Sequence, residues 1–219
     1  MLRFPTIPFG NVLLSTKNGL YKHKDFYGSG TRILKMFNIH EGWLRLDRVD
    51  LVQLEAREQA SYRLSGGDIL FNRVNTPELV GKCTVIDETA EGSVFESKNI
   101  RAQLDRDAVS AYYAASFFNS EFGHQILTRK LKHAAGMATI TGPDIREAPL
   151  PLPARDLQQK FEDACLSVRD MRRESSTSAA TLETLFQTLL HRAFDGRLTA
   201  KWREAHAAEL LQEMEHQSR

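Results

Sequence analysis

Residues 154–195 read ARDLQQKFEDACLSVRDMRRESSTSAATLETLFQTLLHRAFD, with neither glycine nor proline, and Gly196 follows. A stretch of that length without either breaker reads as one long helix, with Gly196 as its C-terminal stop. Within it Leu157, Phe161, Ala164, Val168, Met171, Ser175, Ser178, Leu182, Leu185 and Leu189 follow one another at spacings of 4-3-4-3-4-3-4-3-4. A mean period of 3.5 residues keeps one stripe facing a partner helix, so the pattern predicts a coiled-coil seam. An ordinary amphipathic helix on a globular core is the competing reading. Arg169, Asp170, Arg172, Arg173 and Glu174 argue against it, because they leave the helix solvated on most sides. The weak point is Glu174-Ser175-Ser176-Thr177-Ser178. Its poor helix propensity either breaks the helix or lets two helices cross closely over small side chains.

Immediately before this helix stands Pro149-Leu150-Pro151-Leu152-Pro153. Alternating prolines force an extended path and mark a boundary. All seven prolines lie at or before residue 153, as do all glycines except Gly196. The expected organisation is therefore a domain over 1–153, a long helix over 154–199 and a helical tail over 200–219. The first part reads as strands and turns. Ile33 to Phe37 suggests a buried strand, and Tyr62-Arg63-Leu64, Ser65-Gly66-Gly67-Asp68 and Ile69-Leu70-Phe71 suggest strand, turn, strand. Leu79 to Ile86 and Val94 to Leu104 add two more. Tyr112, Ala115, Phe118 and Phe122 give a helical period to 107–131, which Ala135-Gly136 ends. The fold class is α+β: a mixed α/β domain followed by a long coiled-coil-forming helix.

The chain has 219 residues, 42% hydrophobic and 26% charged, so a packed core is within reach. Its net charge of +1 excludes a polybasic tail protein. It leaves nucleic-acid binding open, since that needs a basic face rather than a basic total. Cys83 and Cys165 form no C-x-x-C pair and read as buried small hydrophobes. No signal-peptide h-region and no membrane-length apolar run is visible, which reads as a cytoplasmic protein.

No phosphate loop, dinucleotide fingerprint, H-E-x-x-H or G-x-S-x-G motif is present. Asp87, Glu96 and Lys98 fit the loose D…E-x-K spacing of a metal-dependent nuclease, in which two carboxylates hold the metal and the lysine positions water. That spacing is permissive, and no metal site is assigned on it. Basic, amide and aromatic side chains gather in four places. One holds Tyr21, Lys22 and Lys24; a second Asn72, Arg73 and Asn75; a third Lys98 and Arg101; a fourth Lys130 and Lys132. Arginine and lysine suit phosphates and guanine edges, and asparagine suits adenine.

The order of the motifs carries a resemblance. Ser65-Gly66-Gly67-Asp68-Ile69-Leu70-Phe71-Asn72-Arg73 resembles the "GDIL-F-R" segment of target recognition domains in type I restriction–modification specificity subunits. Val80-Gly81-Lys82 follows where that family has a short hydrophobic-glycine stretch. Ala148 to Pro153 is similar to the family's proline-rich exit strand, and Asp156-Leu157-Gln158-Gln159 to the "EQ-x-I" start of its conserved helix. Leu189-Leu190-His191-Arg192-Ala193-Phe194-Asp195-Gly196-Arg197-Leu198-Thr199 resembles the helix end, "LL-x-x-A-F-x-G-E-L", and Trp202-Arg203-Glu204 fits what trails it.

The resemblance implies a non-catalytic DNA-recognition chain with no cofactor of its own. Its partners would be double-stranded DNA, an S-adenosylmethionine-dependent adenine methyltransferase (modification) subunit and, in complexes that carry one, a restriction subunit. No membrane is implied. Family members usually hold two recognition domains and two helical regions, and this chain has room for one of each. A half-size subunit implies a homodimer, with Leu157, Phe161, Val168, Met171, Leu182, Leu185 and Leu189 as the dimer or partner seam. The alternatives are the nuclease above and a coiled-coil interaction protein that binds no DNA.

Overall fold

The computed structural model describes residues 4–129, 131–134 and 136–217, apart from the side chains of 132–134. The chain divides into two compact units, Met1–Cys165 and Leu166–Arg219. The first unit opens with β1 (Thr6–Pro8), β2 (Leu13–Asn18), β3 (Tyr27–Leu34), β4 (Ile39–His40), β5 (Trp43–Leu44), β6 (Asp50–Val52) and α1 (Ala56–Tyr62). It continues through β7 (Ile69–Asn72), β8 (Val74–Asn75), β9 (Cys83–Val85), β10 (Val94–Phe95), β11 (Asn99–Leu104), α2 (Ala111–Asn119) and α3 (Glu121–Thr128). Then come β12 (Lys132–Ala134), β13 (Met137–Thr139), α4 (Gly142–Glu147) and β14 (Pro149–Pro151). α5 (Arg155–Phe194) begins in the first unit and ends in the second, followed by α6 (Ala200–Ala205) and α7 (Ala207–Gln217). This is the α+β class read from the sequence.

The central sheet has strand order β2-β11-β7-β9. Its strands are antiparallel, although none of the paired neighbours is joined by a tight hairpin. Ile69, Phe71, Ile100 and Ala102 point into one core with Phe9, Val80 and Phe118. Phe118 meets Phe9 at 4.8 Å and Phe71 edge-on at 5.7 Å between ring centroids. Leu70, Leu34, Leu64, Ile86 and Phe95 form a second cluster on the other side of the alternation. The prolines of 149–151 do make an extended edge: β14 pairs with β1, and Leu150, opposite Ile7, is buried.

Several elements differ from the sequence reading, each for a local reason. The strand at 33–37 stops at Leu34, because buried Asn38 draws the chain into a turn. Its side chain accepts from Lys35 N (2.8 Å) and donates to Arg45 O (2.7 Å) and Arg48 O (2.8 Å). Tyr62-Arg63-Leu64 is not a strand. It is the end of α1 and its exit; Glu58 reaches back to Glu55 N at 3.1 Å and starts that helix. Leu79–Ile86 pairs only over Cys83–Val85. The helix read over 107–131 is two helices. Ser120 ends α2 and caps α3, its Oγ accepting Gly123 N at 3.1 Å. A Cβ on Gly123 would stand 1.9 Å from Phe117 O, so only glycine allows that bend.

α5 is continuous over 40 residues, including Glu174–Ser178. Gly196 follows in the left-handed conformation, φ 75°. Cys83 is buried, and burial pushes its thiol up; Cys165 is half-buried rather than buried, with its sulfur 3.9 Å from Ser116 Oγ. Among the described residues no helix is long and apolar enough to cross a membrane.

Candidate nucleic-acid interface

Register brings the segments that carry Tyr21 to Lys24, Asn72 to Asn75 and Lys98 to one end of the central sheet. Asn18, the last residue of β2, pairs with Ile100 near the start of β11. Asn72, the last residue of β7, pairs with Asn99, the first of β11. The segment after β2 carries Tyr21, Lys22 and Lys24, and it is tied to the same end by Gly19 N→Asn99 O (3.0 Å) and Leu20 N→Phe95 O (3.0 Å). Lys98 O accepts from Arg73 N (2.7 Å) and Val74 N (3.3 Å), so the second and third groups share backbone bonds. β8 then joins the sheet β12-β13-β8, pairing Asn75 with Ala138 while Lys132 pairs with Thr139. Chain segments from residue 18 to residue 139 thus converge through main-chain bonds.

The side chains divide into two sets. Tyr21 is 79% exposed, and Lys24 and Lys98 are exposed. Lys22 is half-buried, pairs with Glu58 at 2.7 Å and lies over the Phe26 ring at 4.9 Å. Asn75 is half-buried, and its Oδ1 accepts Thr76 N at 2.9 Å. Arg73 is half-buried, with Nη1 donating to Ser97 O at 3.1 Å. Asn72 (2% exposed) and Arg101 (8%) are inside, not on the surface the sequence reading gave them. Arg101 Nη1 donates to Arg63 O at 2.7 Å and its guanidinium lies 5.7 Å from the Phe95 ring centre. It also helps burial lower the Lys17 ammonium below the usual lysine range. Lys130 lies outside the described residues, as does the side chain of Lys132.

Three buried polar atoms at this end lack a hydrogen-bond partner among the described residues: Asn72 Oδ1, Arg73 Nε and Asn99 Oδ1. Buried polar groups are nearly always paired. Ser93 Oγ and Arg101 Nε are two more such atoms among the described residues, so the state is not confined to this end of the sheet. The nuclease constellation does not assemble. Glu96 Oε1 accepts Met36 N at 2.8 Å, and Asp87 Oδ1 accepts Thr89 N at 2.9 Å. Among the described residues no group of three or more histidine, cysteine, aspartate or glutamate side chains is placed to hold a metal ion.

The seam residues of α5 are all exposed in the single chain, from Phe161 and Val168 to Leu182, Leu185 and Leu189. Leu157 and Met171 are exposed too. Phe161 also meets the Tyr113 ring edge-on at 5.9 Å. The sequence reading missed Phe186, Leu190 and Phe194, exposed apolar side chains that widen the face beyond the heptad stripe. The signal was there: 182, 185, 186, 189, 190, 193 and 194 follow the broader three-and-four spacing of a wide apolar face.

Comparison with known proteins bears on this arrangement. No protein-family model matches the chain. The specificity subunit of the type I restriction enzyme EcoKI from Escherichia coli (strain K12) is 27% identical over 206 residues, which cover 91% of this chain and 44% of that protein. The chain is similar to the specificity subunits of type I restriction enzymes. The StySPI specificity subunit of Salmonella potsdam is 24% identical over 199 residues, 89% of this chain and 43% of that one. Among solved structures, the type I restriction-modification S subunit of M. genitalium shares the fold with a TM-score of 0.55 at 14% identity, covering 81% of this chain and 41% of its own. The chain therefore spans less than half the length of the specificity subunits it matches.

Proposed function

We propose that this chain is a half-size specificity subunit. It reads DNA sequence and directs an adenine methyltransferase subunit, with a restriction subunit in complexes that have one, to a bipartite target. It performs no chemistry itself and needs no cofactor. Residues 1–153 form the recognition domain, 154–199 the helical spacer and 200–219 a tail, in a cytoplasmic complex. The observation that carries this reading is that the segments holding Tyr21, Lys24, Arg73, Asn75 and Lys98 meet at one end of the central sheet. Tyr21, Lys24 and Lys98 are its outer contacts, with Arg73 and Asn75 at its edge; Lys130 and Lys132 are assigned to the same face from the sequence alone. Loops at strand ends are where a rigid scaffold displays contact groups.

The exposed seam of α5 pairs with a second copy, antiparallel, which gives a two-fold homodimer with one recognition domain per half-target. Methylome sequencing of cells with and without the gene tests the whole reading. One methyladenine motif, split by unread base pairs, should appear only with the gene. Magnesium-dependent cleavage by the purified chain, abolished by Glu96→Ala, would overturn it in favour of a nuclease. Absence of any enriched sequence with the methyltransferase present would favour a protein-binding coiled coil.

A further inference from the structure

α5 is 40 residues long, and the one buried side chain among its described residues is Gln158, 1% exposed. Long amphipathic helices bury an apolar stripe; this one buries an amide. Both ends of the amide are used. Oε1 accepts Ser110 N at 2.9 Å, and Nε2 donates to Pro153 O at 2.9 Å. Ser110 is itself buried and caps α2, its Oγ accepting Tyr113 N at 3.2 Å. Tyr113 Oη in turn donates to Pro151 O at 2.7 Å. One side chain therefore joins the start of α2, the exit strand and the first turn of α5. Two neighbours on the same helical face add to the joint: Arg155 Nη2 donates to Arg106 O at 3.0 Å, and Phe161 packs on Tyr113.

A leucine at this place would fill the space in more than one orientation of the helix. An amide with a fixed donor side and a fixed acceptor side accepts one, because a fully satisfied buried polar network rigidifies what it joins. We propose that Gln158 is the positioning residue that locks the first turns of α5 onto α2, and that this lock sets the number of unread base pairs between the two half-targets. The second clause rests on the function proposed above; the first does not. In that arrangement the helix is the ruler, and Gln158 fixes the ruler to the domain that reads the bases. It contacts no DNA, so it should govern the gap and leave the bases alone.

The test uses the full chain with the methyltransferase subunit present on random duplex pools, comparing wild type, Gln158→Leu and Gln158→Glu. The glutamate keeps the acceptor for Ser110 N and loses the donor to Pro153 O. The wild type should enrich one motif with one gap. Gln158→Leu should keep the same bases in each half, spread the gap over two or more lengths, and lose about tenfold in affinity for the wild-type gap, as the loss of one buried hydrogen-bonding group implies. Gln158→Glu sets a buried carboxylate oxygen against Pro153 O and should disturb the gap at least as much. An unchanged single gap with unchanged affinity in Gln158→Leu overturns the proposal.

A second readout needs no DNA: pulsed-EPR distances between spin labels at Leu14 and Asp163, in a Cys165→Ser background diluted into unlabelled protein. One narrow distance should broaden in Gln158→Leu. A distance equally narrow in both defeats the lock, whatever the DNA selection gives. A wild type that enriches no sequence defeats the DNA-recognition reading alone. Should Gln158→Leu fail to fold, Gln158→Met, which matches the glutamine's length and removes both hydrogen bonds, carries both measurements.

Discussion

Lys98 and Arg101 stand three residues apart, and the sequence reading put both at the DNA. The fold separates them. Lys98 precedes β11 and is exposed; Arg101 lies within β11, paired on both sides by Lys17 and Leu70. A central strand flanked on both edges leaves its side chains only the two sheet faces, and no local pattern says which face is covered. Two different outcomes follow. Lys98→Ala should leave thermal stability unchanged and lower the salt slope of DNA binding by about one. Arg101→Met keeps the aliphatic stem but strips the donor from Arg63 O, and should cost about 1–3 kcal/mol in a urea titration. Equal stability for the two variants would refute this division. Asp68 gives a pH signature. Burial raises its carboxyl above the usual value, against the pull of Ser65 N–H and of Arg101 and Arg106. The folded chain then holds a proton at pH values where the unfolded chain has released it. The contribution of Asp68 is therefore most favourable below the ordinary aspartate value and declines as pH rises through the raised one. Asp68→Asn removes that decline, so stability measured from acid to neutral pH should fall less steeply than in the wild type. Parallel slopes would show that Asp68 does not titrate this way.

At the scale of elements, legibility followed length. α5 was readable because its period repeats over many turns and no breaker interrupts it. The Glu174–Ser178 stretch looked like a break because serine and threonine compete for the backbone. Instead Thr177 Oγ1 donates to Arg173 O (3.0 Å), Thr181 to Thr177 O (2.9 Å), Thr184 to Ala180 O (2.9 Å) and Thr188 to Thr184 O (2.8 Å). These four threonine hydroxyls are satisfied one turn back, Thr177 within the stretch and three beyond it, and the helix is continuous through 174–178. α1 was misread because Ala56–Tyr62 is two turns long and buries no residue, leaving no periodic signal. The candidate interface was half legible: residue types marked the groups, while strand register alone brought them together. The seam has its own test. Leu182 is 66% exposed and Leu189 42%. In a lone chain, aspartates there should change stability by about 0.5 kcal/mol or less, as exposed substitutions do. In an assembled seam they bury charge against a partner. Leu182→Asp with Leu189→Asp should therefore convert a dimer to a monomer by light scattering and leave the unfolding of the first unit unmoved. A wild type that is already monomeric at micromolar concentration would instead reserve the seam for the modification subunit's helices.

At the scale of the whole molecule the relevant quantity is length. The chain covers 44% of one relative and 43% of another, so two copies account for most of one such subunit. α5, with 40 residues, is about 60 Å long at 1.5 Å per residue. If two such helices pair antiparallel and hold a recognition domain at each end, the gap between half-targets is a property of helix length. Base identity is then a property of the sheet end. The two can be changed independently. Duplicating Thr177–Glu183 adds seven residues, one full heptad, so the apolar seam stays in phase. Each helix gains about 10.5 Å. At about 3.4 Å per base pair the gap should lengthen by up to about three base pairs, with the bases read in each half unchanged. A four-residue duplication is the control, because it puts the seam out of phase and should weaken dimerisation rather than select a new gap. Selection from random duplex pools reads both effects at once. A seven-residue duplication that keeps the original gap would mean that the helices do not measure the DNA.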